Sequence, residues 1–500
     1  MPGNPWTRIG LGLLGVVVLL AVILGARTAS LRSRQIRAEP VPARSLDERA
    51  VVERFRGALR FRTISHAEPE RFQAQEFVAF RGFLEQSFPR LHAALDRERV
   101  SGHTLLFTWR GSDPSLSPLV LMGHQDVVPA EPEAAWTHPP FAGALVDGVV
   151  WGRGAFDNKA NVMAASEAVE LLLAAGFRPE RTVHLLFGHD EELGGPIGAS
   201  AAARLLEARG VEPFLVIDEG GAVAEGTLPF VDSPVALVGV AEKGGLNLEL
   251  VARLDGAAHS SMPPAVTPVG RVARAVDRLQ SDPFPARITP GTAGLLEFLA
   301  PELPLAARVV VANRWLFDPL LLRGFLASPT AAAMVRTTVA PTMMRGSPKA
   351  NVIPPEAVIT VNLRILTGET VESTVGRVRR VVDDEAVETR VSRGRDPSSA
   401  SRVDTPGFAV LQRTIAEIFP GAVVAPYLLM AGTDARYFHA LGDSVYRFQP
   451  GRFSRAHLTL AHGVDERLSV ENLLDSVRFY VRLIENAASL SEDPSPRMDP

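Results

Sequence analysis

A chain of 500 residues is longer than a single hydrophobic core usually organises, so we expect two compact units with appended segments. The composition, 46% hydrophobic and 22% charged, is that of an ordinary globular protein, and a net charge of −4 provides no basic surface for nucleic acid. Cysteine is absent, which excludes disulfides and thiolate metal sites. Any metal must therefore be held by His, Asp and Glu.

The N-terminal segment, residues 1–30, contains an unbroken apolar or glycine run over residues 9–26. A run of about 18 such residues is near the minimum length that spans a bilayer, which predicts an uncleaved membrane anchor. A cleaved signal peptide is the alternative, because small residues follow at Ala26, Thr28 and Ala29. More arginines follow the run than precede it, and by the positive-inside rule this distribution favours a cytoplasmic body.

The patterns along the rest of the chain predict a catalytic α/β domain that is interrupted by a smaller α+β domain. In the first part helical patterns alternate with short apolar strands, which is typical of a mainly parallel mixed sheet between helices. The segments "GGLNLELVARL" and "AVITVNLRIL" instead alternate with period two, as half-exposed strands of an antiparallel sheet do, and two amphipathic helices accompany them. The predicted segments are a linker over 31–45, the catalytic domain over 46–242 and 398–490, the smaller domain over 243–397 with a Pro- and Leu-rich insert over 283–348, and a disordered tail over 491–500.

Acidic and histidine side chains collect where the predicted strands end, which is the edge at which open α/β sheets place their sites. Zinc accepts such a mixture of imidazole and carboxylate ligands. If one aspartate bridges two ions, five of these residues give each ion three ligands, which predicts a two-metal site with a shared water. The five candidate ligands are His124 in "GHQD", Asp157 in "GRGAFDNK", Glu192 in "HDEE", Asp218 in "VIDEG" and His462 in "AHG".

Two further acids have predicted roles next to these ligands. Positions i and i+2 of a strand face the same way, so Asp126 can accept the second ring N–H of a metal-bound His124. If Glu192 binds a metal, Glu191 is held beside the activated water without being a ligand, and a carboxylate placed there can act as a general base. Each motif alone has a structural alternative; Asp218 and Glu219, for example, could cap a helix. Their order and common placement favour the metal site.

These motifs, together with "AHSSMPP" and "HGVDERLS", resemble the aminoacylase/carboxypeptidase family of dinuclear zinc peptidases over nearly all of residues 46–485. The insert resembles the branch of that family that contains carboxypeptidase S and the N-fatty-acyl-amino-acid hydrolase/synthase. The resemblance implies that the Asp157–Asn158 peptide is cis. It also implies one zinc on His124, Asp157 and Asp218 and a second zinc on Asp157, Glu192 and His462.

The resemblance also implies that the smaller domain acts as a lid and contributes to catalysis. His259 corresponds to a histidine that stabilises the transition state, although Ala258 precedes it where the family more often has Gly. The lid often forms a dimer surface, but the insert could block that surface, so the protein is expected to be a monomer or homodimer, with lid closure inside one chain favoured. The implied substrate-binding residues are Asn351 and Arg364, which would hold an α-carboxylate, and Gly432 and Thr433 in "AGTDARYF".

The sequence therefore predicts a membrane-anchored amidohydrolase with two zinc ions per chain. It would cleave an amide bond next to a free α-carboxylate, in an N-acyl amino acid or in a small peptide. An aminopeptidase or dipeptidase of the same family is the alternative, against which Arg364 and Asn351 argue. An inactive binding protein is disfavoured because every predicted ligand and Glu191 are present. The resemblance implies an extracytoplasmic catalytic domain, in contrast to the arginine distribution.

Overall fold

The structure is a computed structural model that describes residues 5–42, 44–66, 68–227, 231–256, 258–454, 457 and 460–489. The predicted disordered tail, 491–500, lies outside the described residues. The helices are α1 (Pro5–Ala29), α2 (Glu48–Ala58), α3 (Ala74–Ser87), α4 (Pro89–Ala94), α5 (Lys159–Ala174), α6 (Ala199–Ala208), α7 (Pro268–Ser281), α8 (Pro290–Leu299), α9 (Leu305–Ala312), α10 (Arg314–Leu326), α11 (Pro329–Ala333), α12 (Val371–Val382), α13 (Pro406–Ile418) and α14 (Val470–Ala488). The strands are β1 (Asp96–Val100), β2 (Thr104–Trp109), β3 (Leu119–His124), β4 (Ala144–Val146), β5 (Val149–Trp151), β6 (Val183–Gly188), β7 (Leu215–Asp218), β8 (Ala222–Glu225), β9 (Val235–Glu242), β10 (Gly244–Arg253), β11 (Ala258–His259), β12 (Thr338–Arg345), β13 (Val352–Ile353), β14 (Glu356–Ile365), β15 (Val387–Arg395), β16 (Val423–Leu429), β17 (Val445–Arg447), β18 (Arg452–Ser454) and β19 (Arg467–Ser469).

The chain divides into two compact units. The larger unit combines Ile36–Gly244 with Pro397–Pro500, and the smaller unit combines Met1–Gln35 with Gly245–Asp396. The sequence predicts the smaller domain at 243–397, with the N-terminal anchor and the linker as separate segments. In the structure the N-terminal segment groups with the smaller unit instead.

The larger unit is built on a mixed sheet with the strand order β1-β2-β6-β3-β7-β17-β9-β8-β18, and β16 pairs with β9. At its centre β6, β3, β7 and β17 run parallel to one another. Every residue of β3 and β6 is buried, as expected for strands that are covered on both faces. Because β3, β6 and β7 are parallel neighbours, their C-terminal ends meet at one edge of the sheet.

The core next to that edge contains apolar side chains of the central strands and of the helix that follows β6. Val120, Leu186 and Val216 of the strands pack with Ala202 and Leu206 of α6, and all of them are fully buried. Helix α5, on which β3 packs, begins two residues after Asp157. Both α6 and α5 are thus packed on the central strands whose ends carry the site.

The smaller unit contains two helices on an antiparallel sheet, which confirms this part of the predicted fold. The sheet has the order β12-β14-β10-β15, with antiparallel pairing of β12 with β14 and of β10 with β15. Alternate residues of β10 are buried at its start, so Leu246, Leu248 and Leu250 face a core that α7 and α12 complete. Thr370 closes the start of α12 with a capping box.

Among the described residues, one helical segment is long and apolar enough to cross a membrane, and it is part of α1. The candidate span is Ile9–Ala29, with a mean hydropathy of 2.8 and none of its most apolar window buried. A core helix of a soluble protein would be largely buried, so its exposure favours a membrane anchor or signal sequence over a core helix.

Candidate metal centre

The candidate metal centre lies at the edge where the parallel strands β3, β6 and β7 end. His124 is the last residue of β3 and its side chain is buried. Its Nε2 atom lies 3.0 Å from Oδ1 of Asp157 and 3.3 Å from Oε1 of Glu219. One ring nitrogen thus faces two carboxylates that come from different parts of the chain.

Asp157 lies between two histidines. While its Oδ1 faces His124, its Oδ2 lies 3.2 Å from Nε2 of His462. The same His462 nitrogen is 3.0 Å from Oε2 of Glu192. Asp157 thus faces both imidazoles, and each imidazole also faces one further carboxylate, Glu219 for His124 and Glu192 for His462. Two cations that are bridged by one aspartate require such an arrangement.

The candidate metal centre contains more carboxylates than positively charged side chains. Burial raises the pKa of Glu192 to about 7 and that of Glu219 to about 8. The hydrogen bonds that Asp157 and Glu192 make to His462 raise the pKa of its imidazole to about 10. These raised pKa values show that the carboxylates of the site favour a positive charge next to them. Divalent cations would provide that charge, so the donor set fits metal ions.

Asp126 fixes the two glutamates as well as the histidine. Nδ1 of His124 lies 2.9 Å from the Asp126 backbone oxygen and 3.4 Å from its Oδ1. The carboxylate also accepts the backbone N–H groups of Glu191 and Glu192, at 3.2 and 3.1 Å, and the hydroxyl of Ser65 at 2.5 Å. One buried carboxylate therefore orients the ring and the backbone of the glutamate pair.

The two glutamates belong to different groups at this edge. They begin a short 3₁₀ helix, Glu191–Leu193, that follows β6. Glu192 forms a group that could hold an ion with His124 and Asp157, and Glu191 forms a second such group with His124 and Glu219. Burial, with the nearby carboxylates of Asp434, Glu219 and Glu192, raises the pKa of Glu191 well above its ordinary value. A raised pKa suits a group that accepts a proton from water.

A glycine allows the chain to turn away after the glutamates. Gly195 has a φ of 59°, and a Cβ atom there would lie 1.9 Å from Oδ1 of the buried Asp434. Any side chain at position 195 would therefore have to displace the Asp434 carboxylate and would also be strained by the positive φ.

The structure brings Glu219, rather than Asp218, into contact with His124. The carboxylate of Asp218 accepts the backbone N–H of Ala435 at 2.7 Å. Among the residues that the structure describes, the groups able to hold an ion include Glu219 and omit Asp218. Asp218 as a metal ligand stays a prediction, and Glu219 is a second candidate because its Oε1 lies 3.3 Å from Nε2 of His124. Successive side chains at a strand end point to opposite sides, and the motif "VIDEG" alone does not tell which one faces the site.

This difference gives a direct test on metal content. We expect Glu219→Gln to reduce the bound metal, because it removes a carboxylate that faces His124. The matched variant Asp218→Asn should keep the full metal content and instead disturb the loop at Ala435. Metal analysis of the two purified variants checks this. Loss of metal from Asp218→Asn alone would restore the ligand that the sequence predicted.

Glu466 supports the bridging aspartate, and it is not among the site residues that the sequence predicts. This buried carboxylate accepts the backbone N–H groups of Phe156 at 2.8 Å and Asp157 at 2.9 Å, and pairs with Arg153 at 2.6 Å. The Asp157–Asn158 peptide is cis, as the resemblance implied. Glu466 lies in the quoted motif "HGVDERLS", four residues after His462, so its position in that motif was the available signal.

Residues predicted to bind substrate lie in both units. In the smaller unit β11 pairs His259 with Val352 of β13, and the backbone N–H of Ser260 donates to the carbonyl of Asn351 at 3.1 Å. The ring nitrogen Nδ1 of His259 is 2.7 Å from the hydroxyl of Ser261, and the imidazole is exposed. Arg364 is an exposed residue of β14. His259 and Asn351 are therefore neighbours on one two-stranded ribbon.

Thr433, in the larger unit, is buried, and both its backbone N–H and its hydroxyl donate to Oε2 of Glu242, at 2.9 and 3.1 Å. Its role in substrate binding stays a prediction. The preceding Gly432 is partly exposed.

Comparison with known proteins identifies the class to which this fold and metal centre belong. The family model described as peptidase family M20/M25/M40 matches residues 120–486, a range that contains the strand ends and His462. The chain belongs to this family of metallopeptidases and amidohydrolases, whose members cleave peptide or amide bonds.

The relatives in sequence include acyl-amino-acid enzymes and carboxypeptidases. The chain is 37% identical to the N-fatty-acyl-amino acid synthase/hydrolase PM20D1 of Xenopus tropicalis, over 100% of this chain and 99% of that protein. It is 30% identical to carboxypeptidase S of Saccharomyces cerevisiae, over 82% and 79% of the two chains. The fold is similar to that of an M20 family metallo-carboxypeptidase from Sulfolobus solfataricus, with a TM-score of 0.65, 17% identity and coverage of 89% of this chain and 100% of the other.

Proposed function

We propose that this protein uses two zinc ions to hydrolyse an amide bond next to a free α-carboxylate, with N-acyl amino acids as its main substrates. The observation that carries the proposal is Asp157, whose two carboxylate oxygens face His124 and His462. The names of the relatives support the substrate class, because PM20D1 acts on N-fatty-acyl amino acids and carboxypeptidase S on peptides. Both kinds of substrate have an amide bond beside a carboxylate.

We assign the ligands to two sets that share Asp157, according to which carboxylates lie within 3.3 Å of each imidazole. His124, Asp157 and Glu219 would hold one zinc ion, and Asp157, Glu192 and His462 would hold the other. Asp126 and Glu466 keep the first histidine and the bridging aspartate in place. When bound, the metal pair would lower the pKa of a water molecule and polarise the substrate carbonyl.

Glu191 is the residue that we assign to proton transfer. It is half-buried beside the ligands, and its backbone N–H donates to the Asp126 carboxylate. It would take a proton from the attacking water and return it to the nitrogen of the leaving amine. Because the same carboxylate makes both proton transfers, no second acidic residue is needed to protonate the leaving amine.

Two residues of the smaller unit would recognise the carboxylate of the substrate. Arg364 presents a planar guanidinium from β14, which matches a carboxylate with two parallel hydrogen bonds. Asn351 is exposed beside the ribbon that carries His259. An aminopeptidase would need an acidic group for a substrate amine at this position, so the arginine supports the acid-binding proposal.

The test compares free-acid substrates with their amides. We expect Arg364→Ala to raise KM for an N-acyl amino acid while its amidated analogue, already poor for the wild type, changes little. Arg345→Ala is the matched control, because Arg345 is an exposed arginine at the other end of the paired β12 and β14 strands. Equal rates of the wild type on acid and amide would favour the aminopeptidase alternative.

We also propose that α1 anchors the protein in a membrane as a single span, with the larger unit on the extracytoplasmic side. The exposure and hydropathy of Ile9–Ala29 support the anchor. Protease protection in intact cells tests the side. Digestion of the larger unit by added protease is the expected result, and full protection would place it in the cytoplasm.

A further inference from the structure

Helix α10 in the smaller unit has an unusual surface. Its sequence, "RWLFDPLLLRGFL", has apolar residues on every side, yet none of its residues is buried. A helix that is apolar all round is normally covered by protein or by lipid. Trp315 is 57% exposed and Leu320 54% exposed, and on the neighbouring helix α9 Leu305 is 69% exposed. We call this set the α9–α10 apolar surface; it consists of Leu305, Trp315, Leu316, Leu320 and Leu326.

This surface lies next to the end of the apolar helix α1. Asn313, which precedes α10, donates from Nδ2 to the carbonyl of Leu24 at 3.3 Å and lies 3.4 Å from the hydroxyl of Thr28. Nε of Arg27 donates to the carbonyl of Ala312 at 3.3 Å. Helix α10 therefore begins where the candidate membrane span ends.

The segment after α1 holds the same region in place. Arg34 lies over the ring of Phe298 on α8, with 5.3 Å between the guanidinium carbon and the ring centroid, and 3.5 Å from the carboxylate of Glu297. Gln35 donates to the carbonyl of Phe298 at 3.5 Å. The insert is thus attached to the chain just after it would leave the bilayer, so its apolar side chains stay close to that membrane.

We propose that the α9–α10 apolar surface lies in the lipid interface of the membrane that α1 spans. A lipid bilayer is the occupant that the contacts favour, because the apolar surface continues directly from the apolar helix. Tryptophan is enriched at membrane interfaces, and the exposed Arg27 and Arg323 can extend their charged ends to anionic headgroups. The smaller unit is therefore a membrane-bound unit and not only a lid.

This placement has a consequence for substrate supply, which rests on the proposed function. An N-acyl amino acid with a long chain partitions into a bilayer, with its carboxylate at the headgroups. The unit that carries His259, Asn351 and Arg364 would then be held at the surface where such substrates concentrate. A soluble short-chain substrate would gain nothing from this placement.

The absence of cysteine makes a direct test possible. Single variants Trp315→Cys and Leu320→Cys of the full chain are labelled with an environment-sensitive fluorophore and reconstituted into phosphatidylcholine vesicles that contain some phosphatidylserine. The control is Val391→Cys, at a residue of β15 in the same unit that is 48% exposed. We expect spin-labelled lipids to quench positions 315 and 320 several-fold more than position 391, and aqueous iodide to show the reverse order.

Two results would overturn the proposal. Lipid quenching at positions 315 and 320 that is as weak as at position 391, together with strong iodide quenching at all three, would place α10 in water. Protection from iodide that disappears when the protein is diluted with excess lipid would mean that a second copy of the chain covers the surface. The measurement needs no turnover, so a failure of the proposed substrate class would leave its result unchanged.

Discussion

Glu191→Gln is expected to keep both metal ions and to lose turnover by a factor on the order of a hundred or more. The glutamine preserves the shape of the side chain and the backbone N–H that donates to Asp126. It removes the only property that the proposed reaction needs from this residue, which is the ability to take a proton from water and return it to the amine. Metal analysis and single-turnover rates on the same preparation measure both effects.

The neighbouring residue provides the matched control. Glu192→Gln should weaken one metal, because Oε2 of Glu192 lies 3.0 Å from Nε2 of His462. The two isosteric changes, one residue apart, should therefore separate proton transfer from metal binding. If both variants lose metal, or if both keep metal and lose turnover alike, the division of roles between the two glutamates is wrong.

His259→Ala should lower turnover far more than it weakens substrate binding. The predicted work of this histidine is done on the carbonyl oxygen as that atom gains negative charge, so its loss acts on the transition state. Metal content should be unchanged, because the described groups that could hold an ion belong to the larger unit. Ser261→Ala, which removes the hydroxyl 2.7 Å from Nδ1 of His259, should have a smaller effect in the same direction.

A mixing experiment decides which chain supplies His259. Inactive Glu191→Gln and inactive His259→Ala chains are combined and assayed together. We expect no recovery, because the insert is predicted to block the surface through which the smaller unit would dimerise. Recovered activity would show that a second chain provides the histidine, since a hybrid pair can assemble one intact site.

Much of the fold and of the metal centre is predictable because periodicity and strand ends are local properties of the sequence. The buried runs of β3 and β6 and the alternation of β10 are visible in the residues themselves. Parallel strands bring their C-terminal ends together, so ligands that are far apart in sequence could be grouped without coordinates. Strand ends group His124, Glu192 and Asp218 in this way, and the motifs "GRGAFDNK" and "AHG" add Asp157 and His462.

The features that the sequence does not predict depend on which way a side chain points at a strand end and on contacts between segments that are distant in sequence. Whether Asp218 or Glu219 faces His124 depends on the orientation of two adjacent side chains, which composition does not show. Glu466 acts through backbone N–H groups of residues 156 and 157, a contact that has no sequence periodicity. Thr433 was assigned by resemblance, and only its burial shows that its hydroxyl binds Glu242. The attachment of the N-terminal segment to the insert likewise depends on a tertiary contact, at Asn313.

The most direct measurement of the central claim is the metal content of the purified wild-type chain before and after chelation, with turnover of an N-acyl amino acid followed in parallel. The arrangement of Asp157 between two histidines predicts close to two zinc ions per chain, activity that disappears as they are removed, and recovery when zinc is returned. Full activity in protein that contains no metal would contradict the two-metal account.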